Sequence, residues 1–420
     1  GSEMCIRDSI RNIQPQPSLP RVFPQRRCYK PRAMTDDLPP NPALLPAGLR
    51  DLLPPEAETE AASVEAIMDA FAAHGYQRVK PPLLEFEDGL LAGPGAAMAE
   101  QTFRLMDPDS HRMMGVRADM TPQIARIAET RLAHLPRPLR LSYAGQCLRV
   151  KAAGLAADRQ IAQAGIELIG PDSPEADAEI VEVGAEALAA VGLVNVSFDL
   201  TLPLLVPTFL EESGLAPEAR ARLSRALDRK DAAAVAERGG PLAATLTDLL
   251  LAAGAAPPAG AGGRGAVRPP GARAHAERLA ATVAAIRARV PTLRLTVDPV
   301  EFRGLRYHTG VTLTVYAPGH HEELARGGRY ICGGEGGEEA TGFTLYPDAV
   351  LRAAPKRKPR PRLYLPCDTA AEQAAGLRRQ GYATVAGLAP EADAAAEARR
   401  LGCSFLLGPT GPLALSAETK

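Results

Sequence analysis

The sequence has no long apolar run and almost no net charge, and each shortage excludes a class of protein. Within its 420 residues, no apolar stretch approaches the ~20 residues that a membrane-spanning helix needs. A formal net charge of -1 gives no overall attraction to nucleic acid. Hydrophobic residues make up 46% and charged residues 23%, which is ordinary for a soluble globular protein. The length allows two or three domains with a large buried core.

The sequence is also poor in cysteine. The six cysteines include no CxxC pair and no His/Cys cluster at zinc spacing; they are Cys5, Cys28, Cys147, Cys332, Cys367 and Cys403. Three histidines, His308, His320 and His321, lie near one another in the chain, but a histidine pair in a turn is more often solvated than metal-bound. We therefore expect a reduced, cytoplasmic protein that needs no metal and no other cofactor.

The first 33 residues differ from everything after them. They contain seven Arg or Lys against Glu3 and Asp8, several prolines and no sustained periodicity. An acid-poor, Arg-rich start can signal organelle import, but this one lacks an amphipathic helix and the apolar core of a secretory signal. We expect residues 1–33 to be a disordered or non-native extension ahead of Met34.

From Met34 onward the sequence predicts an α+β protein in several parts. A core of mixed helices and strands covers residues 34–354, and it contains a helical insertion over 203–290. Inside the insertion, the composition of 254–273 is typical of a flexible loop. A basic, proline-spaced linker over 355–362 leads to a small α/β domain at 363–420, in which strands and helices alternate.

The stretch "GVRADMTPQIARIAE" predicts the end of a strand followed by the start of a helix. Thr121 suits the N-cap and Pro122 the first helical position, and Ile124 and Ile127 lie on one helical face. Asp119 stands two residues before the cap. It is either a second capping acid or a ligand-binding carboxylate, and this stretch alone does not decide between them.

A hairpin predicted over Leu139 to Gly170 carries polar residues on a strand that should be buried. Alternation places Arg159, Gln163, Gly165 and Glu167 on one side of its second strand. The neighbouring "IELI" is apolar, so a purely solvated face is the weaker interpretation. We expect Gly165 to leave a gap between the amide and the carboxylate that admits a small ligand with an ammonium group.

A second polar stretch, "EFRGLRYHTGVTLTVY", precedes a glycine-rich segment. Arg303 is close in sequence to Tyr307 and His308, which offers a cation and ring groups around a cleft. The segment "GGRYICGGEGGEEATGF" does not have the spacing of a phosphate-binding loop.

Taken in order, "VRADMT", "RQIAQAGIELIG", "RGLRYHTG" and "GGRY" resemble the core of histidyl-tRNA synthetase, a class II aminoacyl-tRNA synthetase. The resemblance covers about Leu44 to Ala354. It implies a mostly antiparallel sheet flanked by helices, with a pocket for the amino acid. The implied histidine-binding residues are Asp119, Thr121, Arg149, Gln163, Glu167, Arg303, Tyr307, His308 and Tyr330.

The ATP-binding half departs from the synthetase pattern. Lys151 stands where an acid is expected, Tyr346 at a usual glycine, Ala349 at a usual arginine and Arg306 at a usual aspartate. Activating an amino acid requires cations to stabilise charge on the triphosphate. These departures predict that the chain does not form an adenylate and has no catalytic residues. The shortened tail predicts that it does not bind tRNA.

The stretches "LPAGLRDLLPPEA" and "FRLMDPDSHRMMGVRADMTPQIARIA" resemble the regulatory subunits of ATP phosphoribosyltransferase, an enzyme of histidine biosynthesis, more closely than they resemble the synthetase. The resemblance implies a homodimer through the core that joins the short-form catalytic subunit in a hetero-oligomer such as an octamer, activates it and conveys inhibition by L-histidine. Two alternatives stay open. A divergent histidyl-tRNA synthetase would catalyse histidine-dependent exchange of pyrophosphate into ATP, and a free-standing histidine sensor would never stimulate a phosphoribosyltransferase.

Overall fold

The computed structural model of the chain describes residues 43–152, 158–255, 270–301, 307–333, 336–356 and 358–416. The extension predicted over 1–33 lies outside these ranges, as do Arg303 and Arg306. Within these ranges, no helix is both long and apolar enough to cross a membrane.

Helices make up much of this part of the chain. The α-helices are α1 (Glu56–Ala73), α2 (Glu87–Leu90), α3 (Thr121–Thr130), α4 (Pro174–Ala190), α5 (Leu205–Glu212), α6 (Pro217–Asp228), α7 (Ala232–Arg238), α8 (Ala243–Leu251), α9 (Pro270–Arg289), α10 (Pro347–Ala353), α11 (Ala371–Arg379) and α12 (Ala394–Arg400). Two 3₁₀ helices span Gly93–Gln101 and Gly240–Leu242.

The strands form three sheets. They are β1 (Gln77–Arg78), β2 (Leu84–Phe86), β3 (Phe103–Met106), β4 (Met113–Val116), β5 (Leu139–Leu148), β6 (Gln160–Ile169), β7 (Ser197–Thr201), β8 (Gly254–Ala255), β9 (Arg294–Asp298), β10 (His308–Tyr316), β11 (Ala325–Cys332), β12 (Glu338–Leu345), β13 (Arg362–Leu365), β14 (Ala383–Ala386), β15 (Phe405–Gly408) and β16 (Gly411–Ala414).

The main sheet has nine strands in the order β1-β5-β6-β12-β11-β10-β7-β9-β8. Only the β1/β5 and β7/β9 pairs are parallel, and the other pairs are antiparallel. The predicted α+β class with a mostly antiparallel sheet is therefore confirmed. The predicted hairpin is also present, since β5 and β6 pair along ten residues each.

The two faces of this sheet differ in chemistry. One face packs against α1, α4 and α9 in a large apolar core that includes Ile166, Phe198 and Phe343. The opposite face is covered at one end by α3, whose Ile124 and Ala128 are fully buried. Because side chains alternate along each strand, Glu167 of β6, Tyr330 of β11 and Thr344 of β12 face away from the large core. That polar face carries the candidate site.

Local sequence explains where the main helices begin and end. Ser173 caps α4 by accepting a hydrogen bond from the Ala176 amide, and Pro174 occupies the first turn. Helix α1 ends at Ala73, and Gly75 then takes a φ of +80°, a conformation that glycine adopts with little strain.

The segment predicted as a helical insertion contains α5 to α9, and its status as an insertion stays a prediction. Both ends of the loop predicted over 254–273 have regular structure, because residues 254–255 form β8, which pairs with β9, and α9 begins at Pro270. Residues 256–269 lie outside the described ranges. After the linker, β13 to β16 form a four-stranded sheet in the order β14-β13-β15-β16.

A buried ion pair fastens the main sheet to two helices. The Arg329 side chain, on β11, is 4% exposed and donates to Asp177 Oδ1 of α4 at 2.7 Å. Asp177 Oδ2 also lies 3.4 Å from both Arg278 and Thr282 of α9. A buried charge that loses its partner is strongly destabilising, so β11, α4 and α9 depend on one another here.

We expect Asp177→Ala to lower the free energy of unfolding by about 2 to 4 kcal/mol, since it removes the closest carboxylate of the buried Arg329 guanidinium and leaves only Asp172 and Glu339, each at 3.5 Å. Urea denaturation followed by circular dichroism measures this loss. The matched control is Glu182→Ala on the same helix, whose partly exposed pair with Arg289 should contribute at most about 1 kcal/mol. Equal losses in the two variants would contradict the interpretation.

Candidate functional site

A buried carboxylate lies at the centre of the polar face. Glu167, on β6, is 1% exposed. Its Oε1 accepts hydrogen bonds from the Thr121 hydroxyl at 3.0 Å and the Tyr143 hydroxyl at 3.2 Å, and its Oε2 accepts one from Tyr330 at 2.9 Å. The carboxylate lies over Gly342 of β12, where a Cβ would overlap it. Three hydroxyls and one glycine therefore hold this group in place.

Burial changes the protonation of this group. Desolvation raises the pKa of the Glu167 carboxyl to about 8, although the hydrogen bonds from Tyr330 and Thr121 act in the opposite direction. The neutral form is therefore favoured near pH 7. A ligand cation placed against Glu167 would favour the ionised form instead.

A narrow cleft lies beside Glu167, with about 20 Å³ of space open to water-sized groups. This is far below the ~300–1,000 Å³ of typical ligand pockets, so an amino acid can enter only if lining side chains move. Five of the sequence-predicted residues line it, namely Thr121, Glu167, Tyr307, His308 and Tyr330. The structure thus brings these five side chains together, while their role in binding stays a prediction.

Aromatic rings form one wall of the cleft. The Tyr307 ring stacks on the His308 ring with centroids 4.0 Å apart, and it meets Tyr330 edge-on at 6.2 Å. Burial raises the pKa of both tyrosines well above the usual range, so their hydroxyls stay neutral. A flat ring could stack against this wall with a carboxylate at its end.

Asp119, Gln163 and Arg149 form a hydrogen-bonded group next to the cleft but are not among its lining residues. The Gln163 amide donates to Asp119 Oδ2 at 2.8 Å and accepts from the Met120 backbone N–H at 3.0 Å. Arg149 lies 3.8 Å from Asp119 and donates to the Ala118 carbonyl. The remaining predicted residue, Arg303, lies outside the described residues.

The helix start differs from the prediction. Thr121 is the first residue of α3 rather than its N-cap, a position that Met120 occupies. The Thr121 hydroxyl donates to Glu167 and so does not cap the helix. Asp119 Oδ1 instead accepts from the Thr121 backbone N–H at 3.0 Å. Asp119 therefore does act as a capping acid at the start of α3. Its other carboxylate oxygen accepts the hydrogen bond from the Gln163 amide.

The gap predicted at Gly165 is absent. The antiparallel register places Tyr143 of β5 opposite Gly165, and the Tyr143 ring occupies the space that a Cβ would need. Its hydroxyl then reaches Glu167 and lies 2.7 Å from that of Thr344. Alternation along one strand could not reveal this, because the cross-strand partner was unknown.

Half of the cleft lining was not predicted from the sequence. The residues concerned are Arg326, Gly327, Gly328, Gly342 and Thr344. A signal existed, because Arg326, Gly328 and Tyr330 are spaced two residues apart and share a face when the segment is a strand, as in β11. Among the described residues, no group of three or more His, Cys, Asp or Glu is placed to hold a metal ion.

Comparisons with known proteins show the family of the chain. The family model described as histidyl-tRNA synthetase matches residues 48–350. An ATP phosphoribosyltransferase regulatory subunit of Gluconobacter oxydans is 57% identical over 368 residues, which cover 87% of this chain and 96% of that protein. The regulatory subunit of Paramagnetospirillum magneticum is 54% identical and covers 88% of this chain and 97% of its own length.

Two solved structures share the fold. One, from Bacillus halodurans, is described as an ATP phosphoribosyltransferase regulatory subunit/histidyl-tRNA synthetase; it has a TM-score of 0.71, 24% identity and coverage of 85% of this chain and 96% of its own. The other is histidyl-tRNA synthetase from Nostoc, with a TM-score of 0.67, 16% identity and coverage of 86% and 90%. At these identities they show the class II synthetase-like fold alone.

The raised pKa of Glu167 predicts how stability depends on pH. Because the folded-state pKa of about 8 exceeds the ordinary 4.5, folding favours the protonated form, and the free energy of unfolding should fall as pH rises from 5 to 8. Glu167→Gln cannot ionise and should escape this fall, so that it gains on the order of a few kcal/mol over the unmodified chain. Tm measured from pH 5 to 9 tests this, with the exposed Glu65→Gln as control. Parallel pH profiles for the chain and Glu167→Gln would contradict it.

Proposed function

This chain belongs to the family of ATP phosphoribosyltransferase regulatory subunits, and on that premise we propose that it activates the short-form catalytic subunit and conveys feedback inhibition by L-histidine. In this proposal the chain performs no chemistry itself. Histidine binds in the cleft, with its ring against Tyr307, His308 and Tyr330 and its amino group toward Asp119.

The observation that carries the proposal is the buried Glu167 carboxylate at the end of an aromatic wall. A buried acid with a raised pKa is costly to maintain, so its presence supports a ligand-binding role. An imidazole has both a flat face for Tyr307 and an N–H for a carboxyl oxygen. Few other amino-acid side chains offer both groups.

The other half of the synthetase-like site supports binding without adenylation. Tyr346, at a position where the synthetase resemblance expects glycine, is close enough to Arg149 and Asp119 for their charges to affect its pKa, which burial raises to about 12. Ala349 is buried at the start of α10 and supplies no cation. A triphosphate would meet a bulky ring and lack an arginine there.

Histidine can regulate the catalytic subunit if the histidine-bound chain differs in shape from the free chain. The cleft has only about 20 Å³ of free space, so an amino acid must move lining side chains to enter fully. Tyr330 lies next to Arg329 on β11, and Arg329 is paired to α4 and indirectly to α9. Coupling between two sites is typically about 1 to 3 kcal/mol and is reciprocal, so the substrates of the catalytic subunit should weaken histidine binding equally.

We also propose that the core forms a homodimer through an exposed apolar sheet face. The small sheet, in the order β2-β4-β3, buries one face against α2. The register places six apolar residues on its other face, and Leu84, Phe86 and Leu105 are each 37–38% exposed. The six are Leu84, Phe86, Phe103, Leu105, Met114 and Val116. Two-fold pairing would bury the same patch twice.

The central test is reconstitution. The purified chain is mixed with a short-form ATP phosphoribosyltransferase from the same source, and phosphoribosyl-ATP formation is measured with and without L-histidine. We expect stimulation that histidine reverses, and Glu167→Ala should raise the histidine concentration for half-inhibition roughly 10-fold or more, because a charge-assisted contact is lost. No complex and no stimulation would overturn the proposal. Histidine-dependent pyrophosphate exchange would instead favour a synthetase, and histidine binding without stimulation a free-standing sensor.

The dimer proposal predicts that Leu105→Glu yields monomers, because it places a charge on the apolar face that would be buried between the two copies. Sedimentation velocity at micromolar protein concentration measures the change. The matched control is Met106→Glu, one residue along β3 on the opposite face and 58% exposed, which should stay dimeric. A monomeric unmodified chain, or equal behaviour of both variants, would rule out this surface.

A further inference from the structure

Arg326 is a cation in the cleft that was not predicted from the sequence and has no role in the proposed function. On β11 it shares a face with Gly328 and Tyr330, and its cross-strand partner on β12 is Thr344. It lines the same cleft as Glu167. Among the described lining residues, it is the only arginine or lysine.

The Arg326 guanidinium is only partly satisfied by the protein. One terminal nitrogen donates to Glu323 Oε1 at 2.6 Å, and the Arg326 side chain is 37% exposed. Its Nε is buried and has no hydrogen-bond partner in the described part of the chain. An unsatisfied buried donor on a charged group is costly, and an anion in the cleft would supply the missing acceptor.

Another arginine, Arg149, is already engaged by protein groups. Arg149 donates to the Ala118 carbonyl and lies 3.8 Å from the Asp119 carboxylate. It is also absent from the cleft lining. A carboxylate entering the cleft would therefore meet Arg326 before any other described arginine or lysine.

The register sets the distance between the two charged ends of the cleft. Glu167 is paired with Gly342, which is paired with Gly328, so the Glu167 side chain lies at the level of Gly328. Arg326 is two residues before Gly328 on β11, about 7 Å away at ~3.3 Å per residue. That separation is close to the length of one amino acid, from its side-chain ring to its α-carboxylate.

We propose that Arg326 binds the α-carboxylate of the amino acid that occupies the cleft, while Glu167 and the aromatic wall hold its side chain. This inference rests on the proposed function, because it takes the ligand to be histidine. Arg326 then determines specificity. A ligand that lacks the carboxylate leaves the guanidinium unpaired and places its own ammonium group near a like charge.

The test compares two ligands that differ by this one group. L-histidine and histamine are titrated by calorimetry into the full chain and into Arg326→Gln. The unmodified chain should prefer histidine. Arg326→Gln should lose roughly 10- to 100-fold in affinity for histidine but change little toward histamine, so the preference disappears. Arg326→Lys should restore part of it, because it keeps the charge without the planar fork.

Two further variants sharpen the test. Arg352→Gln removes a similar arginine–glutamate pair, with Glu322, outside the cleft lining, and should leave both affinities unchanged. Glu323→Gln frees Arg326 from its acidic partner and should increase the preference for histidine.

The outcomes separate this inference from the proposed function. If the unmodified chain binds histidine and Arg326→Gln keeps the full preference over histamine, Arg326 is only the partner of Glu323 and the inference fails alone. An equal loss for both ligands in Arg326→Gln would indicate a distorted cleft and would also overturn it. If the unmodified chain binds no histidine, the proposed function fails and the inference with it.

Discussion

The site depends on keeping one carboxylate, that of Glu167, out of water. Its oxygens accept hydrogen bonds from three hydroxyls that come from a helix and two strands, those of Thr121, Tyr143 and Tyr330. Gly342 must lack a side chain because the carboxylate lies over it. Since burial disfavours the charged form, these neighbours make the site responsive to any cation or N–H donor that enters the cleft.

Strand β11 contributes residues to the cleft and also connects the cleft to the helices of the core. Tyr330 and Arg329 are neighbours on β11 and point to opposite faces of the sheet. Tyr330 bonds to Glu167, whereas Arg329 pairs with Asp177 at the start of α4. Asp177 in turn meets α9, the last helix of the insertion. A change of shape at the cleft would therefore act on β11, which bonds to Glu167 on one face of the sheet and to Asp177 of α4 on the other.

The sequence correctly predicted features that depend on a single segment of the chain. Alternation correctly placed Gln163 and Glu167 on a buried polar face, and composition predicted the helical insertion. Predictions from the sequence failed where the position of a side chain depends on a second segment of the chain. Tyr143 fills the space at Gly165 because β5 and β6 pair in one particular register, and Thr121 turns to Glu167 instead of capping its helix. Arg326 was overlooked because its place in the cleft follows from the pairing of β11 with β12.

The proposed function requires a synthetase-like cleft that binds histidine without activating it. Equilibrium dialysis of labelled L-histidine against the chain alone, with neither ATP nor a catalytic subunit, measures this binding. We expect saturable binding of about one histidine per chain, unaltered when ATP and Mg²⁺ are added. Absence of saturable binding, or conversion of the bound histidine to an adenylate when ATP is present, would contradict it.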